Sequence, residues 1–433
     1  APDHVWALDA QTGLKIWEFN RPSKGNHIGQ RGVALYKDRV YFGTPDAYLV
    51  CLDAHTGKKI WEVQIADVQF GYYLSVAPVV VKGKIILGTS GDQTDIPHFL
   101  VAVDPDTGAV VWKTDSLPKP GAPGSETWPN PKAISHGGGP MWLSGTYDAE
   151  LNLLYWGTGN PHPVVDGEGR MGDNLYTCSI LALNPDTGAI VWHFQPSPHD
   201  THDWDAVETP VLFDAEFKGK PRKLLAQASR NGYFFLLDRK TGESLVTSQF
   251  VPTNWARSID KKGQPLYDPA KTPKLDGTLI EGASNGGTNW MPPSFSPETN
   301  LFYVNAVEGF SYWYLATDEN GVAEDHQGGG ALSLVNRAYL LALDYKTGKV
   351  QWKRDSGGSR SSAGILTTAG HLLFTGDASG NVLALDPSDG KVLWHSRPGG
   401  TMNNGPITYE VEGKQYVVMN VDDMLFAWTL PEN

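Results

Sequence analysis

Cysteine is nearly absent: 433 residues contain two, Cys51 and Cys178. They stand far apart, with no CxxC pair and no Cys/His cluster, which excludes a disulfide framework and a structural zinc site. No CxxCH haem-attachment motif occurs either. Long apolar runs are also missing. The most apolar stretch, LSVAPVVVKGKIILG, is broken by lysines and glycine and cannot serve as a membrane span. Basic residues are in deficit, 35 Lys and Arg against 48 Asp and Glu, for a net charge of −13 without any basic block. That balance argues against a nucleic-acid groove or an anionic membrane surface. The chain opens APDHVWALD, with no methionine and no apolar leader, which reads as a mature or trimmed product.

What the sequence has instead is turn residues and aromatics. Its 48 glycines and 30 prolines exceed average usage but stay below the level of disordered chains, and 15 tryptophans supply apolar surface to bury. The length alone suggests two or three domains. The composition points rather to one large all-β fold over residues 1–433.

An internal repeat carries that reading further. A pattern of two apolar residues, Asp or Asn, two variable residues, Thr or Asp, Gly, and a second apolar run occurs seven times. It reads ALDAQTGLKIW from Ala7, CLDAHTGKKIW from Cys51, AVDPDTGAVVW from Ala102 and ALNPDTGAIVW from Ala182. It continues as LLDRKTGESLV from Leu236, ALDYKTGKVQW from Ala342 and ALDPSDGKVLW from Ala384. Each copy predicts a hairpin whose Gly takes the positive-φ turn position and whose Asp or Asn bonds the turn backbone. Tryptophan falls eight residues after the Asp or Asn in six copies, at 17, 61, 112, 192, 352 and 394, and Val246 replaces it in the fifth. A flat side chain at one fixed place per hairpin suits a contact between neighbouring sheets, each burial contributing on the order of 2–3 kcal/mol. Cys51 stands where most copies have Ala and reads as a small packed residue.

Successive Asp or Asn positions are 44, 51, 80, 54, 106 and 42 residues apart. The short spacings match four strands per sheet, the blade of a β-propeller. The long ones imply insertions around 113–140 and 250–335, in loops of the kind that carry function. RVYFGT, KIILGT and LLYWGTG read as further strands, and GPITYEVEGKQYVVMNVDDMLFAWTL supplies about three more. Nothing precedes the first hairpin and the last set lacks a fourth strand. The expectation is an incomplete closing blade, with residues missing upstream favoured over pairing of the two chain ends.

These hairpins resemble the tryptophan-docking repeats of the quinoprotein alcohol dehydrogenases, the methanol and ethanol dehydrogenase family. The resemblance implies an eight-bladed propeller that binds pyrroloquinoline quinone (PQQ) and a metal near its axis. Five separated segments carry it in family order. In QRGVALYKDRVYFGTPDAYLVCLDAHTG it implies that Arg31 binds the quinone carboxylates. Ser75 in YLSVAP and Ser90 in LGTSGD align with hydroxyls on the same ligand. MWLSGTYDAELNLLYWGTGNPHP implies that Trp142 stacks flat on the quinone and that Asn160 is a metal ligand. SPHDTHDWDAVE implies a catalytic, metal-binding aspartate at Asp203, and KLLAQASRNGYFFLLDRKTG implies that Arg230 bonds the reactive quinone oxygens.

The residue types make chemical sense in those roles. Oxidising a primary or secondary alcohol needs a base for the hydroxyl proton and an acceptor for hydride, which no side chain provides. A metal can polarise the quinone carbonyl, Arg230 can stabilise the charge that develops there, and Asp203 can take the proton. The family also implies export to the periplasm and a cytochrome c-type electron acceptor, which must be a separate chain or domain. Three departures stand out. Gly25-Asn26 occupies the place of two adjacent cysteines, and Gln93 replaces a metal-binding glutamate. Asp205 matches an extra carboxylate of lanthanide-dependent members, so calcium and a lanthanide are both expected candidates. The first two departures favour a rival reading: a cofactor-empty propeller acting as a binding or scaffold protein, as in bacterial outer-membrane assembly. His199, His202 and Asp200 read as turn residues rather than ligands.

Overall fold

A computed structural model of the chain describes residues 4–25, 30–91, 95–317, 327–360 and 363–430. Two compact units emerge, Ala1–Val207 with Leu315–Gly330, and Glu208–Tyr314 with Ala331–Asn433. In the first, His4–Leu8 pairs with Lys15–Asn20 as a two-stranded sheet, and three antiparallel meanders of four strands follow. Their strands run Ala34–Tyr36 to Lys59–Gln64, Val79–Val81 to Val110–Asp115, and Thr146–Asp148 to Ile190–Phe194. The second unit holds the meanders Val211–Phe217 to Ser244–Gln249 and Leu366–Thr368 to Val392–Ser396, and the three strands Ile407–Val411, Lys414–Val421 and Met424–Thr429. Its remaining large sheet is built on the long strands Leu301–Leu315 and Gly329–Asp344, joined by Thr278–Glu281, Ser294–Ser296 and Val350–Asp355. The expected strands RVYFGT, KIILGT and LLYWGTG are Arg39–Gly43, Lys84–Gly88 and Leu153–Gly157, each the second of its meander. Middle strands such as Phe99–Val103 and Ile180–Leu183 are buried along their whole length, so they read as continuous apolar runs.

All seven repeats are hairpins. Asp9 Oδ1 accepts the backbone N–H groups of Gln11 and Thr12 and the Thr12 hydroxyl, while the Gly13 N–H donates to the Asp9 carbonyl. Asp53 and Asp104 repeat this pattern, and the threonine hydroxyl bonds hold all three carboxyls below their usual range. The small residue that opens each motif lies directly across the ladder from the tryptophan: Ala7 from Trp17, Ala102 from Trp112, Ala182 from Trp192, Ala342 from Trp352, Ala384 from Trp394. Cys51 takes that place opposite Trp61, wholly buried, and in the fifth copy Leu236 faces Val246. A β-bulge follows the pair in each copy, displacing the register by one residue before the turn.

Four of the tryptophans dock on the next hairpin's turn. The indole N–H of Trp17 donates to the Ala54 carbonyl at 2.9 Å, that of Trp112 to Pro185 at 3.0 Å and that of Trp352 to Pro387 at 3.1 Å. Trp61 reaches Pro105 at 3.3 Å. The ring lies on the turn glycine: a Cβ on Gly188 would stand 2.6 Å from the Trp112 ring, so only glycine serves there, besides its φ of +75°. The burial is less even than the repeat suggests. Trp112 is buried, Trp17, Trp61, Trp192 and Trp352 are half-buried, and Trp394 in the last copy is 40% exposed.

The glycine ending each second strand has its own purpose. A Cβ on Gly88 would collide with the Met141 carbonyl, and one on Gly157 with that of Ala206. These are the points where the segment entering the next part of the chain crosses the strand end. The crossing is fixed by the Met141 N–H on the Thr89 carbonyl at 2.8 Å and the Ala206 N–H on that of Thr158 at 3.1 Å. Both crossings carry functional candidates: Met141 precedes Trp142, and Ala206 follows Asp205.

Candidate active site

The first unit brings together six of the residues singled out in the sequence. Arg31 lies in the segment before Ala34–Tyr36, where its backbone N–H and its Nη1 both donate to the Ser75 carbonyl, at 3.2 and 3.4 Å. The guanidinium carbon stands 4.7 Å above the Trp142 ring centroid, a cation–π arrangement. Ser75 and Ser90 are buried with their hydroxyl oxygens 3.1 Å apart. Ser90 is held by a two-bond bridge to Tyr73, and its neighbour Thr89 accepts the Met141 N–H. One half-buried indole face, one permanent cation and two hydroxyls are thereby gathered at three strand ends.

A single carboxylate fixes the far edge of that indole. Asp205, 2% exposed, accepts the Trp142 indole N–H on Oδ2 at 2.9 Å and the Asn160 backbone N–H on Oδ1 at 2.6 Å. The ring and the amide residue are locked together by an acceptor more than forty residues from either. Asp203, two positions earlier, is half-buried with φ +56°, a left-handed conformation uncommon outside glycine. The turn is shaped by Asp200, whose carboxylate accepts the backbone N–H groups of His202 and Trp204 at 3.2 and 3.1 Å. Burial pushes the Asp200 carboxyl up to about 6, against the pull of those bonds and of Arg170. His199 faces the Gly172 carbonyl through Nδ1, and the His202 ring stacks on Trp204. Asp200 takes the turn role expected of it, whereas the His199 ring meets a carbonyl 27 positions away and the His202 Nδ1 lies 3.3 Å from the Thr201 hydroxyl.

Arg230 belongs to the second unit. It is buried in the Ser229–Gly232 turn after Lys220–Ala228, where its carbonyl accepts the Gly287 N–H and the Asn231 side chain caps Tyr233. Gly25 packs so closely on the Pro45 carbonyl that a Cβ would collide with it, so a cysteine cannot stand there without moving that loop. Asn26 and Gln93 lie outside the described residues. Among the described residues, no group of three or more His, Cys, Asp or Glu is gathered as a metal centre. Of the expected oxygen donors, Asp205 is bonded to Trp142 and to the Asn160 backbone, and Asp203 stands two positions before it in the chain. The insertion at 113–140 packs against this region. Its Trp128 indole donates to the Leu175 carbonyl at 2.5 Å, and the Gly139 N–H donates to that of Asn160 at 2.9 Å. Sequence reasoning missed Gly88, Gly157 and the buried Arg170; the repeated glycine at the end of the FGT, LGT and WGT strands was the available signal for the first two.

Comparison with known proteins agrees with this arrangement. Residues 1–258 match the family described as "Glucose/ethanol/alcohol dehydrogenase, beta-propeller domain", and residues 336–430 match the repeats described as "Outer membrane protein assembly factor BamB". The quinoprotein alcohol dehydrogenase PedH of Pseudomonas putida is 37% identical over 95% of this chain and 74% of its own length. The quinohemoprotein alcohol dehydrogenase of Comamonas testosteroni is 36% identical over 96% of the chain, which spans 64% of that protein. Its crystal structure superposes with a TM-score of 0.89 over 97% of this chain and 68% of the other. A europium-containing methanol dehydrogenase gives 0.86 at 32% identity, over 96% of this chain and 78% of the other. The fold class is accordingly the all-β propeller of these enzymes, and no helix among the described residues is long and apolar enough to cross a membrane. The chain belongs to the PQQ-dependent quinoprotein alcohol dehydrogenase family.

Proposed function

We propose that this chain oxidises a primary or secondary alcohol, with PQQ held by Arg31, Ser75, Ser90 and Trp142 and a metal ion held by Asn160, Asp203 and Asp205. The observation that carries the reading is the Asp205 carboxylate, which joins the Trp142 indole and Asn160 while Arg31 stands over the same ring. The donor set fits a flat anionic ligand and a hard cation: an aromatic face, a guanidinium, two hydroxyls, and amide and carboxylate oxygens. When bound, the quinone supplies the hydride acceptor and the ion the Lewis acidity that no side chain provides.

The chain's own residues do the rest. Trp142 is kept from rotating by its bond to Asp205, so its face is presented in one orientation. Arg31 is tied to the Ser75 carbonyl from two atoms, which pre-orients its guanidinium toward a carboxylate ligand. Asp203 is the base that takes the alcohol hydroxyl proton, presented by a turn whose shape Asp200 sets. A cytochrome c-type protein is the proposed electron acceptor, and the periplasm the proposed compartment. Both calcium and a lanthanide belong in the trial, the latter supported by the europium-containing relative.

The test is reconstitution with PQQ plus calcium and, separately, PQQ plus a light lanthanide, followed by dye-linked oxidation of short alcohols. Turnover under one condition, with a quinone absorption band, is expected. No band and no turnover under either would leave a cofactor-empty binding protein as the better reading.

A further inference from the structure

Arg170 is among the most deeply buried large side chains, 1% exposed, and no step of the proposed chemistry uses it. A buried guanidinium is kept only where its fixed fork of donors is well satisfied. Here the partners are neutral. Nε donates to the Pro163 carbonyl at 2.9 Å, and Nη2 to the Val164 and Asp200 carbonyls at 3.1 and 2.6 Å. Nη1 donates to Asn174 Oδ1 at 2.8 Å, while the Asn174 amide donates back to the Arg170 carbonyl.

Those partners come from three segments. Pro163 and Val164 continue the strand end that carries Asn160. Asn174 adjoins the stretch on which the 113–140 insertion rests, its N–H donating to the Thr127 carbonyl at 3.1 Å. Asp200 opens the turn that presents Asp203 and Asp205. One side chain therefore grips the Asp200 carbonyl while the Asp200 carboxylate shapes the next four residues. We propose that Arg170 is a positioning residue: its clamp on the Asp200, Pro163 and Val164 carbonyls holds Asp203 at the distance from Asn160 that proton removal from the alcohol requires. This rests on the reading given under Proposed function. Lysine cannot replace it, because one ammonium cannot reach four acceptors laid out for a planar fork.

The test compares reconstituted wild type with Arg170→Met, Arg170→Lys and the milder Asn174→Ala, all normalised to quinone-loaded protein. Misplacing a base by about an ångström costs on the order of 10²-fold. A fall in kcat of about that size is expected for both Arg170 variants, with a smaller fall for Asn174→Ala and KM for the alcohol changed less than threefold. The kinetic isotope effect with α-deuterated alcohol is expected to rise, which a purely structural role would not cause. Hydrogen exchange gives a readout without turnover: amides of 200–206 exchange at least tenfold faster in the variants, while those of Phe99–Val103 do not change. If Arg170→Met is not obtained folded, Asn174→Ala carries the same comparison. Unchanged kcat per loaded molecule, or unchanged exchange at 200–206, overturns the proposal while leaving the function intact. Absence of turnover in wild type overturns both, and the exchange result then describes a clamp with no reaction to serve.

Discussion

Replacing Asp205 by asparagine tests the core of the site with the least change in shape. Two partners of Asp205 are donors, the Trp142 indole N–H and the Asn160 backbone N–H. A carboxylate accepts both. An amide has one oxygen, so whichever way it turns, its NH2 group faces a donor. With the residue 2% exposed, water has little access to the group left over. A hydrogen bond to a charged acceptor is worth about 1.5–3 kcal/mol, and an orphaned buried donor costs a similar amount. The expected loss of unfolding free energy is therefore about 2–3 kcal/mol, measured by urea denaturation of the apoprotein at neutral pH. The origin of that loss can be isolated. In a Trp142→Phe background the indole donor is gone, so the amide oxygen can serve Asn160 alone. Asp205→Asn should then cost less, with a coupling of about 1–2 kcal/mol in the double-mutant cycle. Additivity of the two substitutions within about 0.5 kcal/mol would refute the claim that one carboxylate holds both groups.

Two further predictions concern the scaffold. His98 is fully buried with Nδ1 3.2 Å from the Thr89 hydroxyl, and burial, helped by His162, pushes its pKa down to about 3. The unfolded chain takes up the proton below about 6.5 and the folded chain does not, so stability is full above that pH and lost as it falls toward 3. Between pH 7.5 and pH 5 His98 alone should remove about 2 kcal/mol, a difference that His98→Gln should erase; parallel pH profiles of wild type and variant by urea denaturation would refute this. Trp112→Ala should cost about 3–5 kcal/mol and Trp394→Ala about 1 kcal/mol, since the first ring is 8% exposed and bonded to Pro185 while the second is 40% exposed. Equal losses in thermal unfolding would mean the repeat position, and not its burial, sets the contribution.

The architecture was legible because the repeat records local chemistry. Asp9, Thr12 and Gly13 satisfy one another within five residues, so the turn is complete in its own sequence. The tryptophan at a fixed offset revealed that sheets dock on one another, and Cys51 was readable as an alanine substitute because register places it opposite Trp61. The candidate site was legible only as residue types in a known order. That Asp205 would grip Trp142 across 63 positions, or Arg170 the Asp200 carbonyl across 30, has no periodic signature. Such contacts depend on which strand ends meet, and that follows from the fold as a whole. The sequence reading treated Asp205 as charge for an ion; the structure adds that each of its oxygens already accepts a hydrogen bond.

That addition changes how the acidic turn should be weighed. Asp200, Asp203 and Asp205 share one short segment, yet they differ sharply in surroundings. Asp200 is buried and bonded to backbone N–H groups, Asp205 is buried and bonded to an indole and an amide, and Asp203 is half-buried between them. Asp200 and Asp205 each hold donors in place. Burial drives the Asp200 carboxyl toward neutrality, and the nearby Asp203 charge adds to that push. Asp203 is set in a left-handed turn between the Asp200 carboxylate and the anchored Asp205. Resemblance to the family nominates Asp203 as the base; the anchoring of Asp200 and Asp205 on either side gives that proposed base a fixed place in the chain.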